Sequence, residues 1–410
     1  MSLTTVTQSL TRTVQREPSA APLPRRLDSL TGLRFFAALA VFAHHFTGTG
    51  GDTGLGRAPA LFPYSMAGGH GVTFFFVLSG FLLTWVARPS QPVGAFYWRR
   101  LGRILPAHLV ALVPAVCVFY VLGHQPWDAT GLLSSVFLLQ PWFPHLDPAL
   151  PGNPVTWTLG VELFFYALFP LLLRGALRLR TRVLAGITAL GLAGMWAVNW
   201  WAHVSFSTDT EGWVMRHPLV YLPEFALGMV CALAIRRGRR FAVHPALPVC
   251  LLALVTFLYY RGREVLAPAV VAQTDYLARP VMAVLAALVV VAFVHREVSG
   301  RTTLVAGRGL VALGTWSYCF YLVHQSVIDL AEHLWGRMPP GNGALGVLLG
   351  TAVLATVPAW ALWRWVEEPA ARWWNGRMPR ALRDRATARS GTARSGKAPA
   401  TAAAGGHPDR

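Results

Sequence analysis

The chain is short of charge. Only 13% of its 410 residues are Asp, Glu, Lys or Arg, against ~25% in ordinary soluble domains. A water-soluble fold of this length needs a charged surface that so few residues cannot supply. Lysine is almost missing: Lys397 is the single one among 36 basic residues. Cysteine is scarce as well. Cys117, Cys231, Cys250 and Cys319 all fall inside apolar runs and form no CxxC pair, so they read as small membrane-helix residues and not as disulfides or metal ligands. No cleavable leader is visible, because residues 1–26 are polar and run straight into the first apolar stretch. In place of charge the chain has 54% apolar residues, 16 Trp and a mean hydropathy of +0.44. These figures exclude disorder, a collagen-like repeat and a small disulfide scaffold. They describe an all-α polytopic membrane protein.

The net charge of +18 does not indicate nucleic-acid binding, since the arginines sit in short clusters between apolar runs, as membrane topology requires. A hydrocarbon core of ~30 Å takes about 20 residues of helix. Runs near that length lie at about 27–46, 70–87, 104–122, 156–173, 183–202, 218–235, 243–260, 277–295, 309–330 and 344–366, predicting about ten spans. The stretch 131–140 is too short to cross, and the Pro-rich PWFPHLDPALPGNP follows it; it reads as re-entrant or interfacial. With both termini cytoplasmic, 29 basic residues fall inside and six outside, which favours this orientation. An eleventh crossing at 131–140 would move 21 of those 29 outside. The expected organisation is a disordered tail over 1–26, a transmembrane domain over 27–370 and a basic low-complexity tail over 371–410.

Ionisable residues within spans are costly and mark candidate sites. Arg34 and His45 are eleven residues apart in LRFFAALAVFAHHF, and eleven steps of ~100° return to within about 20° of the start. They share a face, with His44 turned ~80° from it. Arg100 and Arg103 in FYWRRLGRILP stand at i, i+3, on one face and suited to phosphate, although positive-inside flanking would also place arginines there. Glu162 in TWTLGVELFFYALFP has no Lys or Arg within its span and must be protonated or met by another helix. His324 in GTWSYCFYLVHQ has Ser317 and Tyr318 one to two turns away; a structural hydrogen bond between helices is the alternative for each of these buried groups. Depth counting puts Arg34, Arg100 and Arg103 at an inner level and His45, Glu162 and His324 at an outer one.

Taken together and in order, these segments resemble the acyltransferase type 3 family of integral membrane O-acyltransferases. The matching stretches are LDSLTGLRFFAALAVFAHHF, GVTFFFVLSGFLLT, FYWRRLGRILP, TWTLGVELFFYALFP, YLPEFALGM, GTWSYCFYLVHQ and VEEP. The resemblance implies a transferase that moves an acyl group from acyl-CoA, as co-substrate, to a hydroxyl. No cofactor or metal is implied, and no nucleic acid. It also implies that His45, Arg34, Arg100 and Arg103 take part in transfer. On that reading the arginines hold the charged end of acyl-CoA and an uncharged His45 accepts the hydroxyl proton, or carries the acyl group itself. Glu162 would orient a His or the acceptor, and His324 would donate to the thioester oxygen. The multi-pass protein would reside in the cell membrane. The acceptor implied is a natural-product sugar of the macrolide type, as in antibiotic biosynthesis; a cell-envelope polysaccharide is the alternative. A transporter or flippase would be expected to show repeat symmetry or paired broken helices, and neither is evident in the sequence.

Overall fold

The computed structural model describes residues 23–383 apart from 25, 49–53, 63, 89–90, 127, 145–150, 264 and 381. The expected N-terminal tail and most of the expected C-terminal tail lie outside the described residues. Among those described there is no strand. The helices are α1 (Asp28–Thr47), α2 (Gly71–Val86), α3 (Val93–Val116), α4 (Ala129–Val136), α5 (Trp157–Arg178), α6 (Thr181–Ser205) and α7 (Thr208–Arg216). They continue with α8 (Leu222–Arg236), α9 (Ala246–Gly262), α10 (Pro268–Val298), α11 (Arg308–Trp335), α12 (Gly343–Leu362) and α13 (Glu368–Gly376).

Each predicted apolar run forms a helix, but not all of the expected ten are long and apolar enough to cross a membrane by length and composition alone. Among the described residues, seven helical stretches are long and apolar enough to cross a membrane: Tyr64–Val86, Val93–Leu122, Pro154–Arg178, Thr181–Ser205, Pro218–Arg236, Val270–Val298 and Gly343–Gly376. Of the remaining three, α9 has only 17 residues. Helices α1 and α11 are long, but polar and charged groups such as Arg34, His45, His324 and Asp329 dilute their hydropathy. Such groups are tolerated because protein, not lipid, surrounds them. The chain is therefore an all-α, multi-pass membrane protein, with seven long apolar helices among the described residues. The short stretch after α3 is the helix α4 followed by a single 3₁₀ turn, Gln140–Trp142. It is tied into the bundle through buried Gln140, whose amide donates to Ser135 Oγ (3.0 Å) and Thr156 Oγ1 (3.1 Å).

Helix α3 begins at Val93, well before the predicted 104. Its first turns carry FYWRRLGR, whose arginines face a protein cavity, so hydropathy does not register them. Pro106, Pro114, Pro170, Pro280 and Pro358 lie inside helices, which neighbouring helices make tolerable in a bilayer. Two π-helical stretches, Cys117–Leu122 and Trp363–Glu367, follow Pro114 and Pro358, and the second brings Glu367 into the bundle.

Helix α1 is the hub. One side joins a core of Val41, Phe42, Phe46, Phe320, Leu322 and Ala355 toward α11 and α12. The other joins Leu30, Leu33, Val77, Phe81, Val290 and Phe293 toward α2 and α10. Helices α1 and α11 pair closely, as do α2 and α8. Glycines make both pairings possible: a Cβ on Gly314 of α11 would stand 1.8 Å from Thr31 O of α1, and one on Gly228 of α8 1.9 Å from Val77 O of α2.

Candidate functional site

Helices α1, α2, α3, α5 and α11 enclose a cavity of about 270 Å³, lined by Arg34, Arg100, Arg103 and Glu162 together with Tyr166, Tyr318 and Tyr321. The periodicity of the helices explains the convergence. Arg100 and Arg103 are one turn apart on α3, and Glu162 and Tyr166 are one turn apart on α5. Glu162 Oε1 accepts from Tyr166 OH (2.6 Å) and from Ser79 Oγ on α2 (3.3 Å). The carboxyl group thus has the partner on another helix that its place in the sequence demands. The Arg100 guanidinium lies over the rings of Phe96 (5.7 Å) and Tyr166 (5.5 Å). Arg103 Nε is 3.9 Å from Glu367 Oε1, a long ion pair, while Cys319 Sγ donates to Glu367 Oε2 at 3.2 Å. Arg34 has Arg103, Glu367, Glu162 and Tyr166 within electrostatic range, yet it makes no hydrogen bond or ion pair among the described residues. A half-buried guanidinium without a protein partner can engage an anionic or carbonyl ligand.

The histidines sit beyond this cavity. Tyr321 lines it, the His324 ring lies 5.5 Å from that of Tyr321, and the His45 ring lies 5.3 Å from that of His324. His324 is fully buried and stacked on Phe320. Its Nδ1 is 2.7 Å from Tyr321 O. A carbonyl only accepts, so Nδ1 carries the hydrogen; Nε2, buried and without a partner, presents a lone pair while the ring is neutral. Tyr321 is held in turn by Thr158 Oγ1 (2.9 Å) and Val155 O (3.1 Å). The His45 ring makes no hydrogen bond among the described residues. The His44 ring meets that of His45 edge-on at 5.4 Å and packs against Gly69, where an added Cβ would stand 3.3 Å from it.

The structure therefore groups Arg34, Arg100, Arg103 and Glu162 around one cavity and pairs His45 with His324 next to it. Two expectations change. Glu162 joins the arginines and not the histidine level, because its position on α5 turns it toward Ser79 and Arg34; its hydrogen bonds go to Tyr166 and Ser79, and none goes to a histidine. His324 Nε2 can accept but not donate in the neutral ring, so the expected donor to a thioester oxygen is not available from that atom. Sequence reasoning did not single out Tyr166, Ser79 or Glu367. Tyr166 was within reach as the i+4 neighbour of Glu162, whereas Glu367 needed the π-helical turn after Pro358.

A family model described as an acyltransferase domain matches residues 27–364. Among curated proteins, acyltransferase MdmB of Streptomyces mycarofaciens is 33% identical over 378 residues, covering 86% of this chain and 94% of that protein. The putative peptidoglycan O-acetyltransferase YrhL of Bacillus subtilis is 26% identical over 381 residues, covering 84% of this chain and 55% of that protein. O-acetyltransferase OatA of Staphylococcus aureus is 24% identical over 385 residues, covering 84% and 57%. No solved structure matches. With the match running from the start of α1 to the π-helical turn that carries Glu367, this chain belongs to the acyltransferase type 3 family and is a membrane acyltransferase.

Proposed function

We propose that the protein transfers an acyl group from acyl-CoA to a hydroxyl at His45, with the donor reaching His45 through the arginine-lined cavity. The observation that carries this reading is the continuity from Arg34, Arg100 and Arg103 to Tyr321, and from Tyr321 to the His324–His45 pair. Phosphates at the arginine end leave a pantetheine arm directed toward the imidazoles. The acceptor oxygen attacks the thioester carbonyl carbon while His45 takes the hydroxyl proton. The C–S bond breaks, and the departing thiolate of CoA recovers that proton. The acyl-imidazole route is the second reading of the same residue. His324, through its Nε2 lone pair, positions His45 or the incoming hydroxyl. Glu162 holds Tyr166 and Ser79 against the cavity and lowers the net charge around Arg34 and Arg100. No nucleic acid enters this scheme.

The topology that fits has α1, α9 and α11 crossing beside the seven apolar helices, ten in all, with α4 and its 3₁₀ turn re-entrant and both termini cytoplasmic. The tails over 1–26 and 371–410, the second starting within α13, flank a catalytic domain over 27–370. The 29-to-6 distribution of basic residues supports that orientation. Single cysteines at Thr303 and Asn342 are expected to react with a membrane-impermeant maleimide from the cytosolic and the external side respectively; the reverse pattern overturns it.

A natural-product sugar of the macrolide type is the favoured acceptor. The chain covers 94% of the Streptomyces acyltransferase but only 55% of the peptidoglycan enzyme YrhL. O-acetylation of an envelope polysaccharide is the alternative. Membranes incubated with labelled acyl-CoA and each candidate hydroxyl are expected to yield a labelled ester. Movement of substrate with no ester formed would instead identify a transporter. Replacing Arg100 and Arg103 together by Ala removes two charge-assisted contacts of about 1.5–3 kcal/mol each. The donor KM should rise roughly 100-fold or more, with the acceptor KM little changed. An unchanged donor KM in an active double variant overturns the assignment of these arginines.

A further inference from the structure

The arginine-lined cavity does not stop at Arg100 and Arg103. Both side chains, with Leu83 and Val86, also line a second chamber of about 810 Å³, within the ~300–1,000 Å³ range of cofactor-sized sites. Four separate parts of the chain send guanidinium groups into it: Arg88 after α2, Arg99 from α3, Arg174 from α5 and Arg372 from α13. The side chains of Arg88, Arg99 and Arg174 make no hydrogen bond or ion pair among the described residues. Arg372 is held 3.3 Å from Glu368. Six arginines and two glutamates on the wall leave a formal charge of +4. Like charges that outnumber their counter-charges repel one another, so a chamber built this way favours a polyanion. Planar guanidiniums suit phosphate oxygens, which they engage in pairs.

The proposed donor fits this count in one particular way. Coenzyme A carries a pyrophosphate and, on the ribose, a 3′-phosphomonoester that adds about −1.5 to −2 at pH 7. Arg100 and Arg103 stand at the neck between the two chambers and match the pyrophosphate, from which the arm continues to Tyr321. The remaining charge in the outer chamber then faces the ribose phosphate, and the amides of Gln91 and Asn375 line the same wall beside the base. We infer that the outer chamber is a recognition site for the 3′-phosphate of coenzyme A, with Arg88, Arg99 and Arg174 as its specificity-determining residues. Acyl groups on a bare or protein-bound phosphopantetheine arm are therefore poor donors. The inference rests on the reading of the donor as acyl-CoA and selects among thioesters.

The test is calorimetric binding of CoA and of 3′-dephospho-CoA to the full-length protein in nanodiscs, with wild type and an Arg88→Gln, Arg174→Gln double variant. Wild type is expected to bind CoA at least about tenfold more tightly, a preference that shrinks as salt rises. In the variant the preference should fall to about twofold or less while the affinity for 3′-dephospho-CoA stays unchanged. Equal affinities in wild type overturn the inference without reference to any variant, and so does a preference that survives in the folded variant. A parallel transfer assay separates the two readings. Selective CoA binding with no acyl transfer to any hydroxyl would uphold the chamber and overturn acyl-CoA donation. Transfer with the same KM from acyl-CoA and acyl-phosphopantetheine would do the reverse.

Discussion

His45→Ala is expected to abolish labelled ester formation at wild-type expression, and His44→Ala to leave most of it. Loss of a positioned base typically removes 10²–10⁴-fold of rate, enough to take a slow membrane enzyme below detection. The two neighbouring imidazoles differ in what they face. His45 meets His324, one ring beyond the Tyr321 wall of the arginine cavity, and has no hydrogen bond of its own to lose. His44 turns toward Gly69 instead. Ester formation by membranes carrying each variant, normalised to protein in the bilayer, checks this. Full loss with His44→Ala and survival with His45→Ala would transfer the role to the other ring.

Gly80→Ala and Gly228→Ala are expected to cost the protein its fold more than its chemistry. A Cβ on Gly80 would lie 2.0 Å from Phe225 O, and one on Gly228 1.9 Å from Val77 O and 2.7 Å from Phe81 N. The obstacles are backbone atoms, so no rotamer change relieves them; α2 and α8 must separate. Small residues at such crossings let membrane helices gain dispersion and packing energy that lipid cannot replace. Overpacking of this kind costs about 1–3 kcal/mol and often more. Each variant should lower the melting temperature in detergent by several degrees or fail to accumulate. Gly350→Ala on α12 is the control, because nothing lies within 4 Å of the added carbon; it gains up to about 1 kcal/mol of helix propensity and should melt no lower than wild type. A Gly80→Ala protein as stable as that control would mean the helices pack otherwise.

Helix positions were legible because burial in lipid writes itself as long apolar runs, and all ten runs are helices. Their number as apolar spans was not. In α1 and α11 the polar side chains that dilute the hydropathy are the ones turned inward, so composition undercounts the helices that matter most for the site. The early start of α3 was hidden for the same reason, since Arg99, Arg100 and Arg103 face a cavity and look like flanking charge in one dimension. Helical phase separated His45 from His44 because both lie on one regular helix. Depth counting failed for Glu162: rise per residue gives height along an axis, but not which neighbouring helix the carboxyl group meets.

From the residues alone came the membrane, the orientation implied by arginine placement, the family resemblance and six ionisable groups worth attention. Those are properties of single segments, written in hydropathy, charge and periodicity. Only the tertiary structure decided that Glu162 sits with the arginines and that His324 turns its lone pair to the interior. It also joined Arg88, Arg99, Arg174 and Arg372, from distant stretches of chain, into one chamber. Such groupings depend on the rotation of each helix about its axis and on close crossings at glycine, which packing between segments sets and no single segment records.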